Sequence, residues 1–205
     1  MSALSLHPPT TLAARPSTPS EPAALLGARP VTTVALMVLI AAAVTCCVLL
    51  VASVTRLALA PEARRWLHYT FPGVPARLNS AVWIFTSNSR ELLGVLGLLL
   101  IAQIAARRDD GPTRAQRLLR AGGELVLAGA ITANVLVVGA AVGVYGERMV
   151  RAMLPHGPFE VSAYSLALAL YLQGRHRPLP VVRTAGTIAA GVALLALAAL
   201  LETFR

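Results

Sequence analysis

The feature that most constrains this chain is a series of apolar runs that carry almost no charge. The first run, Val31–Val54, has 24 residues and no charged side chain. About 20 helical residues cross the hydrocarbon core of a bilayer, so this run suits a spanning helix. Four more apolar segments follow: Leu92–Ala106, Leu125–Tyr145, Pro158–Leu172 and Val181–Leu201. We therefore predict an all-α, polytopic membrane helix bundle with five transmembrane helices.

The composition excludes an ordinary soluble domain and argues against a nucleic-acid-binding protein. Apolar residues make up 56% of the chain and charged residues only 13%, which is too little polar surface for a soluble protein. The formal charge of +9 comes from 18 basic residues, all of them Arg and scattered over the loops. Nucleic-acid-binding proteins concentrate such residues in a patch. We expect these arginines to contact anionic lipid headgroups, and we predict no nucleic-acid partner.

The chain divides into a tail and a membrane domain. Residues 1–30 contain six prolines and several Ser and Thr without apolar periodicity, which predicts a disordered tail. Residues 31–205 form the predicted five-helix domain. Within the third apolar run, Gly139-x-x-x-Gly143 is a small-xxx-small pattern that favours close helix packing. The predicted spans cover approximately residues 31–55, 88–106, 124–146, 157–173 and 181–202.

Two of the five spans are short and carry polar N-terminal extensions. The apolar parts Leu92–Ala106 and Pro158–Leu172 have 15 residues each, or roughly 22 Å at the helical rise. Asn79–Glu91 precedes the first and Pro155–Glu160 precedes the second. Polar backbone at membrane depth is tolerated where it lines a cavity or is wrapped by protein. We expect such an environment for both extensions.

The arginines also predict an orientation. With the tail in the cytoplasm, ten arginines fall on the cytoplasmic side and eight on the other. Basic residues collect on the cytoplasmic side of membrane proteins. The predicted topology therefore has a cytoplasmic N-terminus and a C-terminus outside.

Alternating spans bring most of the polar residues near apolar segments to one membrane face. Ionisable groups are costly in a bilayer and usually pair with one another inside the bundle. We therefore predict a polar intramembrane cluster that includes His156, Glu160, Asn88 and Glu202. The full set expected at this face is Asn88, Arg90, Glu91, Glu147, His156, Glu160 and Glu202.

The segment around Pro158 allows a structural and a functional interpretation. Proline favours the first position of a helix, and Glu160 would then lie in the first turn, where unpaired backbone N–H groups stabilise a carboxylate. In that case His156 lies just outside a plain helix start. Alternatively, the imidazole beside a carboxylate changes its charge near neutral pH and serves a function. The residues leave both interpretations open.

Metal binding is a less favoured alternative for the same residues. His156, Glu160 and Glu202 could supply three ligands, as in catalytic zinc sites. However, the sequence has no His-Glu-x-x-His motif, and the other histidines lie in the tail or in loops. The two aspartates, Asp109 and Asp110, fall in a loop at the opposite face, which argues against Ser-His-Asp catalysis. We predict no metal, no cofactor and no catalytic residue.

The same positions carry a family resemblance. Leu154-Pro-His-Gly-Pro-Phe-Glu160 resembles the signature of the stage II sporulation protein M family of bacterial membrane proteins. Trp83–Ser89 resembles the Asn-bearing helix start of that family, and Leu197–Phe204 resembles its acidic final-helix ending. The resemblance covers residues 31–205. It implies functional roles for Asn88, His156, Gly157, Glu160 and Glu202.

The resemblance implies a non-enzymatic role in the bacterial cell membrane. Founding members are membrane parts of a complex that recruits cell-wall hydrolases during engulfment in sporulation, and relatives are linked to export of membrane-active peptides. We therefore expect a scaffold or subunit of a cell-envelope complex. Its expected partners are the lipid bilayer and other envelope proteins, with a homo-oligomer left open. The alternatives are a transport or export component with a His156/Glu160 proton relay and, less favoured, an intramembrane metallohydrolase.

Overall fold

The computed structural model describes residues 30–68, 75–107 and 113–204, with side chains from Thr32 onward. All regular structure in these ranges is helical. The predicted disordered tail, residues 1–30, lies outside the described residues except for Pro30, which begins the first helix. The helices are α1 (Pro30–Val54), a π-helical turn (Thr55–Leu59), α2 (Ala60–Leu67), α3 (Leu78–Ala106), α4 (Arg114–Tyr145), α5 (Glu147–Met153), α6 (Gly157–Gly174) and α7 (Val181–Thr203).

Four helical segments are long and apolar enough to cross a membrane. They are Thr32–Leu67, Leu78–Ala106, Arg114–Tyr145 and Val181–Thr203. In the most apolar stretch of the first segment, 0% of the residues are buried inside the protein. A helix that is apolar all round and still exposed requires a lipid environment. The chain is therefore an all-helical membrane protein. The prediction of five spans is not confirmed, because α6 is not among these four.

Helix α6 instead forms the centre of the bundle. It has 18 residues, or about 27 Å of helix, and α1, α3 and α7 all pack against it. Ala163, Ala169 and Leu170 are completely buried. The main apolar core consists of Leu92, Val95, Leu98, Leu99, Ala102, Ala163, Ala167, Leu170, Tyr171, Leu179 and Leu195. A central helix contacts protein on most sides, so its sequence needs less apolar surface for lipid.

Helix α3 is longer than the sequence predicted. It begins at Leu78 and has 29 residues, whereas the predicted span begins at residue 88. The polar stretch before Leu92 is thus part of one continuous helix, without an interruption of the helical backbone. The Thr86 hydroxyl bonds back to the Val82 carbonyl at 2.9 Å, a pattern that satisfies a hydroxyl inside a helix.

Helix α4 packs closely on α1 through two glycines. A Cβ atom added to Gly139 would lie 2.6 Å from Cβ of Val51, and one added to Gly143 would lie 2.5 Å from the carbonyl oxygen of Ala52. The small-xxx-small pattern therefore marks a true helix contact. Helix α4 ends at Tyr145, and the next residue, Gly146, has a φ of +54°. Glycine adopts this conformation without strain, and the chain then enters the short helix α5, which the sequence did not predict.

Candidate functional site

The start of α6 positions the central residues of the site. His156 is the N-cap residue and proline lies in the first turn, as the sequence predicts for Pro158. The backbone carbonyl of His156 accepts hydrogen bonds from the N–H groups of Phe159 at 3.0 Å and Glu160 at 3.2 Å. This turn holds His156 and Glu160 close together at one end of the bundle.

Glu160 is bound by a neighbouring helix. The side-chain amide of Asn88 in α3 donates a hydrogen bond to Oε1 of Glu160. The Tyr164 hydroxyl, one turn further along α6, donates to the backbone carbonyl of Asn88 at 3.0 Å. The two bonds form a small network between α3 and α6, and they hold the Glu160 carboxylate in one orientation.

Helix α7 contributes the third ionisable group. His156, Glu160 and Glu202 each have a potential metal-ligand atom, and these three atoms lie within 4.8 Å of one another. All three residues are partly buried. Within the described ranges, no salt bridge involves Glu160 or Glu202. Two carboxylates at this separation repel each other in a low-dielectric environment. The arrangement therefore favours the binding of a cation or a proton.

The structure brings together four of the five site residues predicted from the sequence. Asn88, His156, Glu160 and Glu202 lie in the network and the triad, and Gly157 lines the adjacent cavity. Glu147, which was also expected at this face, lies apart. It forms a 2.6 Å ion pair with Arg151, and its side chain is 76% exposed.

A cavity of about 750 Å³ adjoins the site and is lined by residues of α1, α3, α4 and α6. Its walls are mostly apolar, with side chains such as Val44, Leu98 and Val135. Its polar lining includes Asn88, Glu91, Asn134, Glu160 and Tyr164. The cavity therefore combines an apolar wall with a set of acidic and amide groups.

Two residues of this polar lining, Asn134 and Tyr164, were not among the predicted site residues. Asn134 in α4 donates a hydrogen bond to Glu91 in α3 at 3.0 Å, and both residues line the cavity. The signal in the sequence is that Asn134 is the sole amide side chain between Leu125 and Tyr145. An amide inside an apolar span needs a partner, and the fold supplies Glu91.

Polar residues at the other ends of these helices form a separate set of contacts. Gln103 of α3 donates to the carbonyls of Gly174 at 2.6 Å and Arg177 at 3.0 Å, and it accepts from the Leu179 N–H at 2.8 Å. Glu124 of α4 accepts from the Tyr171 hydroxyl and pairs with Arg120 at 3.1 Å. These contacts fasten the α6–α7 connection to α3 and join α6 to α4.

Fold and site together define a helical membrane protein with a polar cluster beside an apolar cavity. No family model, curated protein or solved structure matches the chain. The site's chemistry is therefore inferred from its own residues. Its carboxylates and imidazole can bind a cation, and its cavity can hold an apolar group beside them.

Proposed function

We propose that this protein is a transport or export component that binds a cationic amphiphile in the cavity between α1, α3, α4 and α6. One observation carries the proposal. The cavity of about 750 Å³ is mostly apolar, and its polar lining includes two carboxylates, Glu91 and Glu160. Ligand pockets typically have volumes of about 300–1,000 Å³ and a few well-placed polar groups. The apolar wall suits a hydrocarbon body, and the carboxylates suit a cationic head.

Access to the cavity from the membrane supports this proposal. Leu93 of α3 and Val126 of α4 line the cavity, yet they are 63% and 73% exposed. The cavity is thus open between these two helices. An amphiphile dissolved in the bilayer would enter laterally between α3 and α4 and place its cationic head group near Glu91. The side chain of Glu91 is held by the hydrogen bond from Asn134.

The cavity can be tested by filling it. Gly97 lines it and has no atom within 4 Å of an added Cβ, and Gly129 has equal space but does not line it. We expect Gly97→Leu to weaken binding of a fluorescent long-chain alkylammonium probe to the protein in nanodiscs by at least about tenfold, whereas Gly129→Leu should bind like wild type. Glu91→Gln should also weaken binding, because it removes a carboxylate near the head. Equal binding by wild type, Gly97→Leu and Glu91→Gln would contradict the proposal.

The proposed topology keeps five crossings, with α6 as a short central crossing, the tail in the cytoplasm and the C-terminus outside. Cys46 and Cys47 are first replaced by Ala, since both are exposed on α1. In intact cells, a cysteine at Glu147 should react with a membrane-impermeant maleimide. The His176→Cys variant, whose new cysteine lies just beyond α6, should react only after the membrane is permeabilised. Labelling of both from outside would show that α6 does not cross.

A role as subunit of a bacterial cell-envelope complex is the competing proposal. It is supported by the closeness of Asn88, His156, Glu160 and Glu202, the positions picked out by the resemblance to the stage II sporulation protein M family. Its proposed partners are envelope proteins such as cell-wall hydrolases. In this case His156→Ala should abolish co-purification of the partner while the protein still inserts into the membrane. Unchanged partner capture, together with loss of probe binding in Gly97→Leu, would favour the transport role.

A further inference from the structure

We propose that His156, Glu160 and Glu202 bind a divalent transition-metal ion, Zn²⁺ in the first place. The inference goes beyond the proposed function and does not depend on it. The metal centre would join the start of α6 to the end of α7.

The spacing of the three groups suits one ion. Zinc binds imidazole nitrogen and carboxylate oxygen at about 2.0–2.2 Å, which puts two tetrahedral ligand atoms roughly 3.4 Å apart. The candidate ligand atoms of the triad lie within 4.8 Å of one another. The side chains are only partly buried, and on binding the ion they would rotate to close the remaining distance.

The charges of the site also favour a cation. Glu160 and Glu202 lie together, and in the described ranges no arginine forms a salt bridge with either of them. Two partly buried carboxylates this close together repel each other. A divalent ion neutralises both at once, and a neutral imidazole completes a donor set of one nitrogen and two oxygens. Such a mixed set suits zinc or manganese better than magnesium, which prefers oxygen and water.

The surroundings of Glu160 resemble the outer shell of a metal site. Its Oε1 accepts the Asn88 amide, and Asn88 is in turn held through its backbone carbonyl by Tyr164 at 3.0 Å. Oε2 is then available to the ion while the carboxylate keeps its orientation. Hydrogen bonds of this kind to ligating carboxylates commonly raise metal affinity by 10–100-fold.

Three protein ligands leave a coordination position for water or a ligand. Catalytic zinc sites have this arrangement, whereas structural sites are closed by four protein ligands. Glu160 and Gly157 both line the cavity, so the ion would lie next to it. We therefore expect the metal to be accessible to small molecules that enter the cavity.

Metal content and metal-dependent stability test the proposal directly. The full chain, purified without a polyhistidine tag, is dialysed with Zn²⁺ and analysed by mass spectrometry for bound metal. We expect about one zinc per wild-type chain and a zinc-dependent rise in Tm, because a ligand that binds the folded state stabilises it. Mg²⁺ at the same concentration should have no such effect.

Matched variants separate this site from other carboxylates. Glu202→Gln and Glu160→Gln should lose at least about tenfold in zinc affinity, and Asn88→Leu should lose about 10–100-fold. Glu147→Gln, whose carboxylate is paired with exposed Arg151, should keep wild-type affinity. Glu91→Gln tests amphiphile binding, and Glu202→Gln tests zinc binding. Either proposal can therefore fail while the other stands. Wild type that takes up no zinc, or Glu202→Gln that binds zinc as wild type does, would overturn the metal site.

Discussion

The side-chain amide of Asn88 in α3 donates a hydrogen bond to the carboxylate of Glu160 in α6, which is 72 residues further along the chain. Asn88 lies in the third turn of its helix and Glu160 in the first turn of its own. The bond therefore fixes the position of α3 along its axis relative to α6. The residues of α3 that precede Asn88 continue past the height of Glu160.

Replacing Asn88 by Leu should destabilise the protein by about 1 kcal/mol, because side-chain hydrogen bonds between membrane helices contribute on the order of 0.6–2 kcal/mol. The substitution removes the donor to Glu160 and keeps a similar volume. Thermal unfolding in mild detergent, without added metal, measures the effect. Asn79→Leu is the control, since Asn79 lies exposed in the first turn of the same helix. An equal loss of stability in both variants would contradict the importance of the bond.

Gly143→Ala should destabilise the bundle by about 1–3 kcal/mol, as overpacking does in a tight interface. The new Cβ would lie 2.5 Å from the backbone oxygen of Ala52, and backbone cannot move aside as a flexible side chain can. Gly129→Ala in the same helix has no atom within 4 Å of the new Cβ. It should be neutral or stabilised by up to about 1 kcal/mol through helix propensity. Thermal unfolding of the two variants should therefore shift in opposite directions or differ clearly in size.

Gln103→Met should loosen the connection between α6 and α7. The change preserves length but removes the bonds to the carbonyls of Gly174 and Arg177 and to the N–H of Leu179. Leaving such groups without partners costs about 1–3 kcal/mol. We expect faster amide hydrogen exchange at Leu179 and in the residues beside it, and little change at the start of α6. Wild-type exchange rates at Leu179 would show that Gln103 does not hold this connection.

The ion pair between Glu147 and Arg151 should contribute little to stability. Its oxygen–nitrogen distance is 2.6 Å, but the two side chains are 76% and 77% exposed. Exposed i,i+4 pairs are worth about 0.3–0.5 kcal/mol. A double-mutant cycle with Glu147→Gln and Arg151→Gln should give a coupling energy in this range that decreases with added salt. A coupling well above 1 kcal/mol would indicate that the pair is shielded from water by lipid or by another protein.

Local sequence signals predicted several helix ends well. The span predicted for residues 181–202 is observed as Val181–Thr203, and that predicted for residues 157–173 as Gly157–Gly174. Proline restricts the backbone near both starts, so the information is local. The start of α3 was predicted ten residues too late, at residue 88 instead of Leu78. Polar residues such as Asn79 and Ser80 were predicted as an extension before the span, and in the structure they belong to the first turn of the helix itself.

The role of α6 could not be predicted in the same way. Its apolar segment predicted a short fifth span but did not show which sides of the helix face lipid and which face protein. In the structure the helix packs against α1, α3 and α7. Apolar residues satisfy a lipid contact and a protein contact equally well. Only the arrangement of the neighbouring helices distinguishes the two.

The sequence by itself determined that the chain is a helical membrane protein and that Asn88, His156, Glu160 and Glu202 belong to one end of the bundle. Charge-free length predicts the first, and the alternation of the five predicted spans predicts the second. The tertiary structure decided which of these groups touch, since Asn88 reaches Glu160 while Glu147 turns away to Arg151. It also decided that Asn134 donates a hydrogen bond to Glu91 in the lining of the cavity. Such contacts depend on the rotation and packing of whole helices, which are set by many weak side-chain contacts at once and by no single motif.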